Sequence, residues 1–135
     1  LPDRDQPVTA MGWPITPEAL YWAPRFFHER YGLPIVITEN GMANDDRLEN
    51  GAVDDQPRIN FLQSYLQHYA RAIAEGVPAQ GYFLWSVMDN FEWAEGYSKR
   101  FGLIHVDYAS QRRTLKASAQ WYGRVIAANG GNLGL

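Results

Sequence analysis

The chain has 135 residues, 46% of them apolar and 20% charged, which is enough for one folded core and too apolar for a disordered tail. A formal net charge of −3 leaves no basic field to gather nucleic acid or an anionic membrane, and the lack of cysteine excludes disulfide frameworks and thiolate metal sites. No stretch reaches the roughly 18 apolar residues of a membrane-spanning helix, no Asn-X-Ser/Thr acceptor occurs, and Leu1 to Pro7 reads as loop rather than secretion signal, so a cytoplasmic location is expected.

Thr16-Pro17-Glu18 opens the first element: a capping hydroxyl, Pro at the first helical position and an acid in the first turn predict a helix to about Tyr31, kinked at Pro24 and stopped by Gly32. Leu33 to Thr38 is a short β-branched run of the kind expected for a strand buried on both faces, and Glu39-Asn40-Gly41 leaves it. Met42 to Pro57 is rich in Asn, Asp and Gly and reads as a long surface loop. Ile59, Leu62, Leu66, Tyr69 and Ile73 then recur at steps of three and four, marking one apolar stripe of a helix that Gly76 ends. Gln80 to Trp85 is a second buried-strand candidate, followed by the aromatic and charged loop Ser86 to Arg100. Phe101 to Tyr108 reads as extended, and Thr114 to Ala128 as a helix whose apolar face is Leu115, Ala119, Tyr122 and Ile126. Strand, helix and strand in this order predict a βαβ unit with a parallel sheet and no internal domain boundary.

Two parallel strands need neighbours on both edges and both faces, so the chain is expected to require partners or more of itself. In a (β/α) barrel, chemistry collects at the C-terminal ends of the strands, and here those ends lead into Glu39 and Trp85. A carboxylate there can serve as nucleophile or proton carrier, although a strand-end Glu is also commonly a solvated loop residue or helix cap. The loop Trp85 to Tyr97 carries Trp85, Trp93, Asp89, Glu92 and Glu95 together. Indole faces accept the C–H side of a pyranose and carboxylates bind its hydroxyls, so this composition suits a sugar site; a packed loop over a barrel top is the alternative. The aromatic content of 14% serves either a core or a cleft. His28, His68 and His105 lie in separate elements without ligand spacing and read as structural, with no metal or cofactor expected. Asn44-Asp45-Asp46 lacks the spacing of a calcium loop and reads as a solvated acidic turn.

Several of these runs together resemble glycoside hydrolase family 1, the β-glucosidase and β-galactosidase group. Met11-Gly12-Trp13-Pro14 through Pro17 to Tyr21 looks like the approach to the family's seventh strand, and Ile37-Thr38-Glu39-Asn40-Gly41 is similar to its nucleophile signature. Trp85-Ser86 with Asn90-Phe91-Glu92-Trp93, then Gly96 to Leu103, resembles its C-terminal signature. The resemblance implies an α/β fold, a partial TIM (β/α)8 barrel comprising about its last two βα units plus the preceding helix, over residues 1–135. It implies a retaining mechanism with ionised Glu39 as nucleophile, Trp85 as platform for the glycone, Glu92 on its O4 and O6 hydroxyls, Trp93 reaching O3, and Phe101 completing the substrate-binding set. Asn40 and Gly41 are expected to be structural. In the family's 6-phospho-glycosidases a Ser stands at the place of Glu92, with Lys and Tyr at those of Lys99 and Phe101. Glu92 would repel phosphate and Phe101 has no hydroxyl to bond it, so an unphosphorylated glycone is expected despite Lys99.

The family's acid/base is a Glu in an Asn-Glu-Pro motif on the fourth strand, and no such motif occurs in these residues. The isolated chain is therefore expected to be inactive, its partners being a β-glycoside substrate and the remaining barrel segment or another chain. A non-catalytic sugar-binding or barrel-completing association fragment is the alternative.

Overall fold

The computed structural model describes residues 6–134; the first five residues of the expected N-terminal loop lie outside them. Helix α1 spans Ala19–Tyr31 and stops where expected, because Gly32 turns left-handed at φ 66° and donates its N–H back to the His28 carbonyl. Its start differs from expectation. Thr16 makes no side-chain cap; instead the Thr16 and Pro17 carbonyls accept from the N–H groups of Ala19 and Leu20 at 3.0 and 3.1 Å, and Glu18 occupies the cap position in helical conformation. Pro24 is buried within the helix.

Strand β1 (Ile35–Asn40) pairs in parallel with β2 (Ala79–Leu84), and helix α2 (Gln56–Ala74) makes the crossover between them. The βαβ unit is thus present. Pro57 enters the first turn of α2, so the helix claims the last residues of the expected loop. The stripe Ile59, Leu62, Leu66 and Tyr69 is buried as its spacing requires, joined by Phe61, Tyr65, Ala72 and Arg58, whereas Ile73 at the helix end remains exposed. Three small clusters result. Leu62 with Met42, Phe61 and Tyr65 forms one, Tyr21, Ala72 and Val77 join α1 to α2, and Leu66 meets Val125 and Leu133.

The strands are not buried on both faces. Helices cover one side, while Val36 (42% exposed) and Phe83 (61%) lie bare on the other, since no described element packs there. Each strand also pairs along one edge only among the described residues.

The C-terminal third departs furthest from expectation. Only Ile104–Val106 of the extended segment forms a strand, β3, and it pairs antiparallel with β4 (Arg113–Leu115). Asp107 builds the turn, accepting from the Ala109 N–H at 3.1 Å and the Ser110 hydroxyl at 2.7 Å. Thr114 and Leu115 therefore belong to a strand, and helix α3 begins only at Ala117 and runs to Ala127. Its buried positions are Ser118 and Val125, with Trp121 and Tyr122 against the core; Leu115 and Ile126 from the expected face are exposed. The late start has a physical cause: the Asp55 carboxylate, from just before α2, receives the Ser118 N–H at 2.8 Å and its hydroxyl at 2.5 Å. It caps α3 from a remote segment.

Candidate active site

Parallel pairing brings the C-terminal ends of β1 and β2 side by side. The Trp85 N–H donates to the Asn40 carbonyl at 2.9 Å just beyond the strands, and the Trp85–Ser86 peptide is cis. Gly41 passes so close to this junction that a Cβ there would lie 1.7 Å from the Trp85 carbonyl oxygen, so no side chain fits. Gly102 makes a second close pass, where a Cβ would lie 2.1 Å from the Asp89 nitrogen.

Over these strand ends opens a cleft of about 470 Å³. Glu39, from the penultimate position of β1, lines it together with Trp85, Glu92, Trp93 and Phe101, so the structure gathers all five residues singled out in the sequence. Trp13 lines it too, and sequence reasoning placed it only in a motif. The sequence signal available was an indole flanked by the turn-forming residues Gly12 and Pro14, which mark a loop. Phe101 is the buried floor at 4% exposure, its ring 6.2 Å from that of Trp13.

Trp93 is held in an unusual way. It sits in the short 3₁₀ turn Trp93–Glu95, closed by a 2.6 Å bond from the Glu92 N–H to the Gly96 carbonyl, with a left-handed φ of 39° and 83% exposure. An aromatic residue both conformationally disfavoured and bare to solvent costs free energy, which singles it out for a task other than packing. Asn40 is anchored by the Tyr82 hydroxyl, which donates to its Oδ1 at 2.7 Å. Lys99 directs its ammonium to the Ala10 carbonyl at 2.7 Å, a bond that ties the Trp13 loop to the Trp93 loop.

A buried ionic network beneath the cleft holds these loops. Lys116 Nζ donates to Asp46 at 2.6 Å and to Asp89 at 2.7 Å; Arg58 donates to Asp46 at 2.7 Å, to Asp55 and to the Arg100 carbonyl at 2.8 Å. Arg100 in turn pairs with Asp89 at 2.5 Å, and Asp89 also accepts from the Gly102 N–H at 3.0 Å. Three carboxylates thus meet three cations, and every side chain but Arg100 is at most 1% exposed. Burial pushes the Asp46 carboxyl up, but the bonds and charges of Arg58 and Lys116 outweigh it and hold it below the usual carboxylate range. Asp46 is therefore not part of a solvated acidic turn, as its neighbours in sequence suggested. The network stitches the Met42–Asp55 loop, the start of α2, the Trp85–Phe101 loop and the start of α3 into one support.

The histidines lie apart. His28 and His68 place Nδ1 3.0 and 2.9 Å from the Leu33 and Ser64 carbonyls, and His105 is buried beside the network with Nδ1 unpartnered. Burial, then the Arg100 charge, lowers the pKa of His105. Among the described residues no group of three or more His, Cys, Asp or Glu side chains is placed to hold a metal ion, and no helix is long and apolar enough to cross a membrane.

The chain matches known proteins over nearly all its length. It is 53% identical over 130 residues to beta-glucosidase A of Thermotoga maritima, covering 95% of this chain and 29% of that protein. To the bifunctional beta-D-glucosidase/beta-D-fucosidase of Bifidobacterium breve it is 53% identical over 127 residues, covering 90% of this chain and 28% of that one. The solved structure of the Thermotoga maritima beta-glucosidase in complex with glucoimidazole superposes with a TM-score of 0.93 at 52% identity, covering 95% of this chain and 30% of that one. The chain thus spans under a third of the length of these relatives. With the sequence profile of Glycosyl hydrolase family 1 matching residues 2–131 as well, the chain belongs to that family.

Proposed function

We propose that this chain supplies the nucleophile and much of the glycone-facing wall of a retaining β-glycosidase that hydrolyses terminal unphosphorylated β-D-glycosides. The observation that carries the reading is the placement of Glu39 at a strand end, lining the same cleft as Trp13, Trp85, Glu92 and Trp93. In the reaction a Glu39 oxygen attacks the anomeric carbon as the bond to the leaving oxygen breaks; a carboxylic acid protonates that oxygen, and water then releases the sugar from the ester. These residues contain no Asn-Glu-Pro motif. The acid/base, and the strands that would cover Val36 and Phe83, are proposed to come from the rest of a (β/α)8 barrel, on the same polypeptide or another. The isolated chain is then inactive.

Glu92 and Trp93 are proposed to bind the glycone hydroxyls and Trp85 to stack beneath the ring. Three features support an unphosphorylated sugar: Glu92 presents a carboxyl group to the cleft, Phe101 lacks a hydroxyl, and Lys99 is bound to the Ala10 carbonyl. The relatives named as beta-glucosidases support a β-glucoside as substrate. The test is hydrolysis of a nitrophenyl β-glucoside by the 135-residue chain with and without the upstream barrel segment. Activity only in the combined sample supports the reading, and a combined sample that folds but does not hydrolyse it contradicts the reading.

A further inference from the structure

β1 and β2 are in register at Ile37 and Tyr82 and meet again at Asn40 and Leu84. Three steps along β1 thus face two along β2, so β1 carries one extra residue within Thr38-Glu39. An inserted residue reverses the face taken by every side chain after it. The faces are fixed by packing: Ile35 lies against Tyr21, Ala72 and Val77, while Tyr82 and Leu84 pack into the clusters under α2 and α3. Ile37, opposite Tyr82, shares that helix side. Strict alternation would send Glu39 to the helix side as well. Instead Asn40, opposite Leu84, takes the helix side and receives the Tyr82 hydroxyl at 2.7 Å, and Glu39 lines the cleft.

From this geometry we infer that Tyr82 is a positioning residue: by holding Asn40 on the helix side it locks the extra residue of β1 in place and so keeps the Glu39 carboxylate aimed into the cleft. Tyr82 does not line the cleft and acts only through Asn40. Its ring is fixed by the Leu66, Val125 and Leu133 cluster and by Tyr69, whose ring centroid is 6.2 Å away. Burial raises the phenol pKa, so the hydroxyl stays protonated and able to donate. The expectation from sequence, in which Asn40 is merely structural, assigns Tyr82 no such effect.

The inference rests on the proposed role of Glu39, and the experiment separates the two. In the completed barrel, Tyr82→Phe keeps the ring and removes only the hydroxyl. Misaiming the nucleophile should lower kcat, and the rate of covalent trapping by a 2-fluoro glucoside, by about ten- to a hundredfold with KM changed less than about threefold. The melting temperature should stay within a few degrees of the parent. Asn40→Ala should act in the same direction, and the double variant should be no slower than the slower single one, because both remove one interaction. A Tyr82→Phe protein with kcat within about twofold of the parent, or one losing rate only in proportion to its folded fraction, overturns the inference while leaving Glu39 as nucleophile. A parent protein trapped at a residue other than Glu39 overturns the functional reading itself.

Discussion

Replacing Lys116 by Met in the completed barrel should show how much the loops of the cleft depend on the buried charges that link them. The Lys116 ammonium lies 2.6 Å from Asp46 and 2.7 Å from Asp89 and is fully buried, and Met preserves most of the side-chain volume. Three carboxylates would then share two guanidinium groups, leaving one negative charge uncompensated where water does not reach. Breaking one member of such a buried set typically costs about 3–5 kcal/mol. Urea titration should show the midpoint falling with an unchanged slope, as expected for lost stability rather than an altered unfolded state. The companion variant Lys116→Met with Asp46→Asn removes the excess charge and should regain part of the loss. A single variant costing under about 1 kcal/mol, the range of solvent-screened pairs, would refute the idea that this network supports the site.

Acid should destabilise the fold in two steps. His105 has a pKa below its ordinary 6.5, so below that value the unfolded chain binds the proton first and stability falls as pH drops toward the folded value. Asp46, held below its ordinary 3.8, adds stability that is present above that value and lost as pH falls through the folded one. A melting temperature flat from pH 7 to pH 4 would contradict the first step. Gly41→Ala should cut hydrolysis by about a hundredfold, because its Cβ would meet the Trp85 carbonyl at 1.7 Å and force the two strand ends apart; an unchanged kcat would show that this junction is not critical. Glu92→Ser should sharply lower kcat/KM on a nitrophenyl β-glucoside, and unaltered kinetics would remove Glu92 from the glycone site.

Where spacing and local chemistry decide structure, the sequence was readable. The α2 stripe as far as Tyr69 and the Gly32 stop depend on neighbours within a few positions and are present, and the run Leu33 to Thr38 does form a strand, but one shifted to Ile35–Asn40 so that it includes Glu39 and Asn40. The five expected site residues meet because both strands run parallel and end at the same edge. Features that depend on remote partners were hidden. Arg58 stands at a stripe position of α2, four residues before Leu62, and that misplaced charge was the one visible sign of the network. Its partners Asp46 and the Arg100 carbonyl come from other segments, as does the Asp55 carboxylate that caps α3 and shifts its start past Leu115. The β1 insertion is equally invisible, since a register exists only between two strands. Reading Leu33 to Thr38 as buried on both faces reflected its composition, whereas the described residues cover only one.

The most direct measurement is mass spectrometry of the completed barrel after inactivation by a 2-fluoro glucoside, followed by proteolysis and sequencing of the modified peptide. One glycosyl group esterified to Glu39 is expected, within the peptide that contains Thr38 and Asn40. A stable adduct on any other carboxylate, Glu92 included, or turnover without any adduct in a Glu39→Gln protein that remains active, would contradict it.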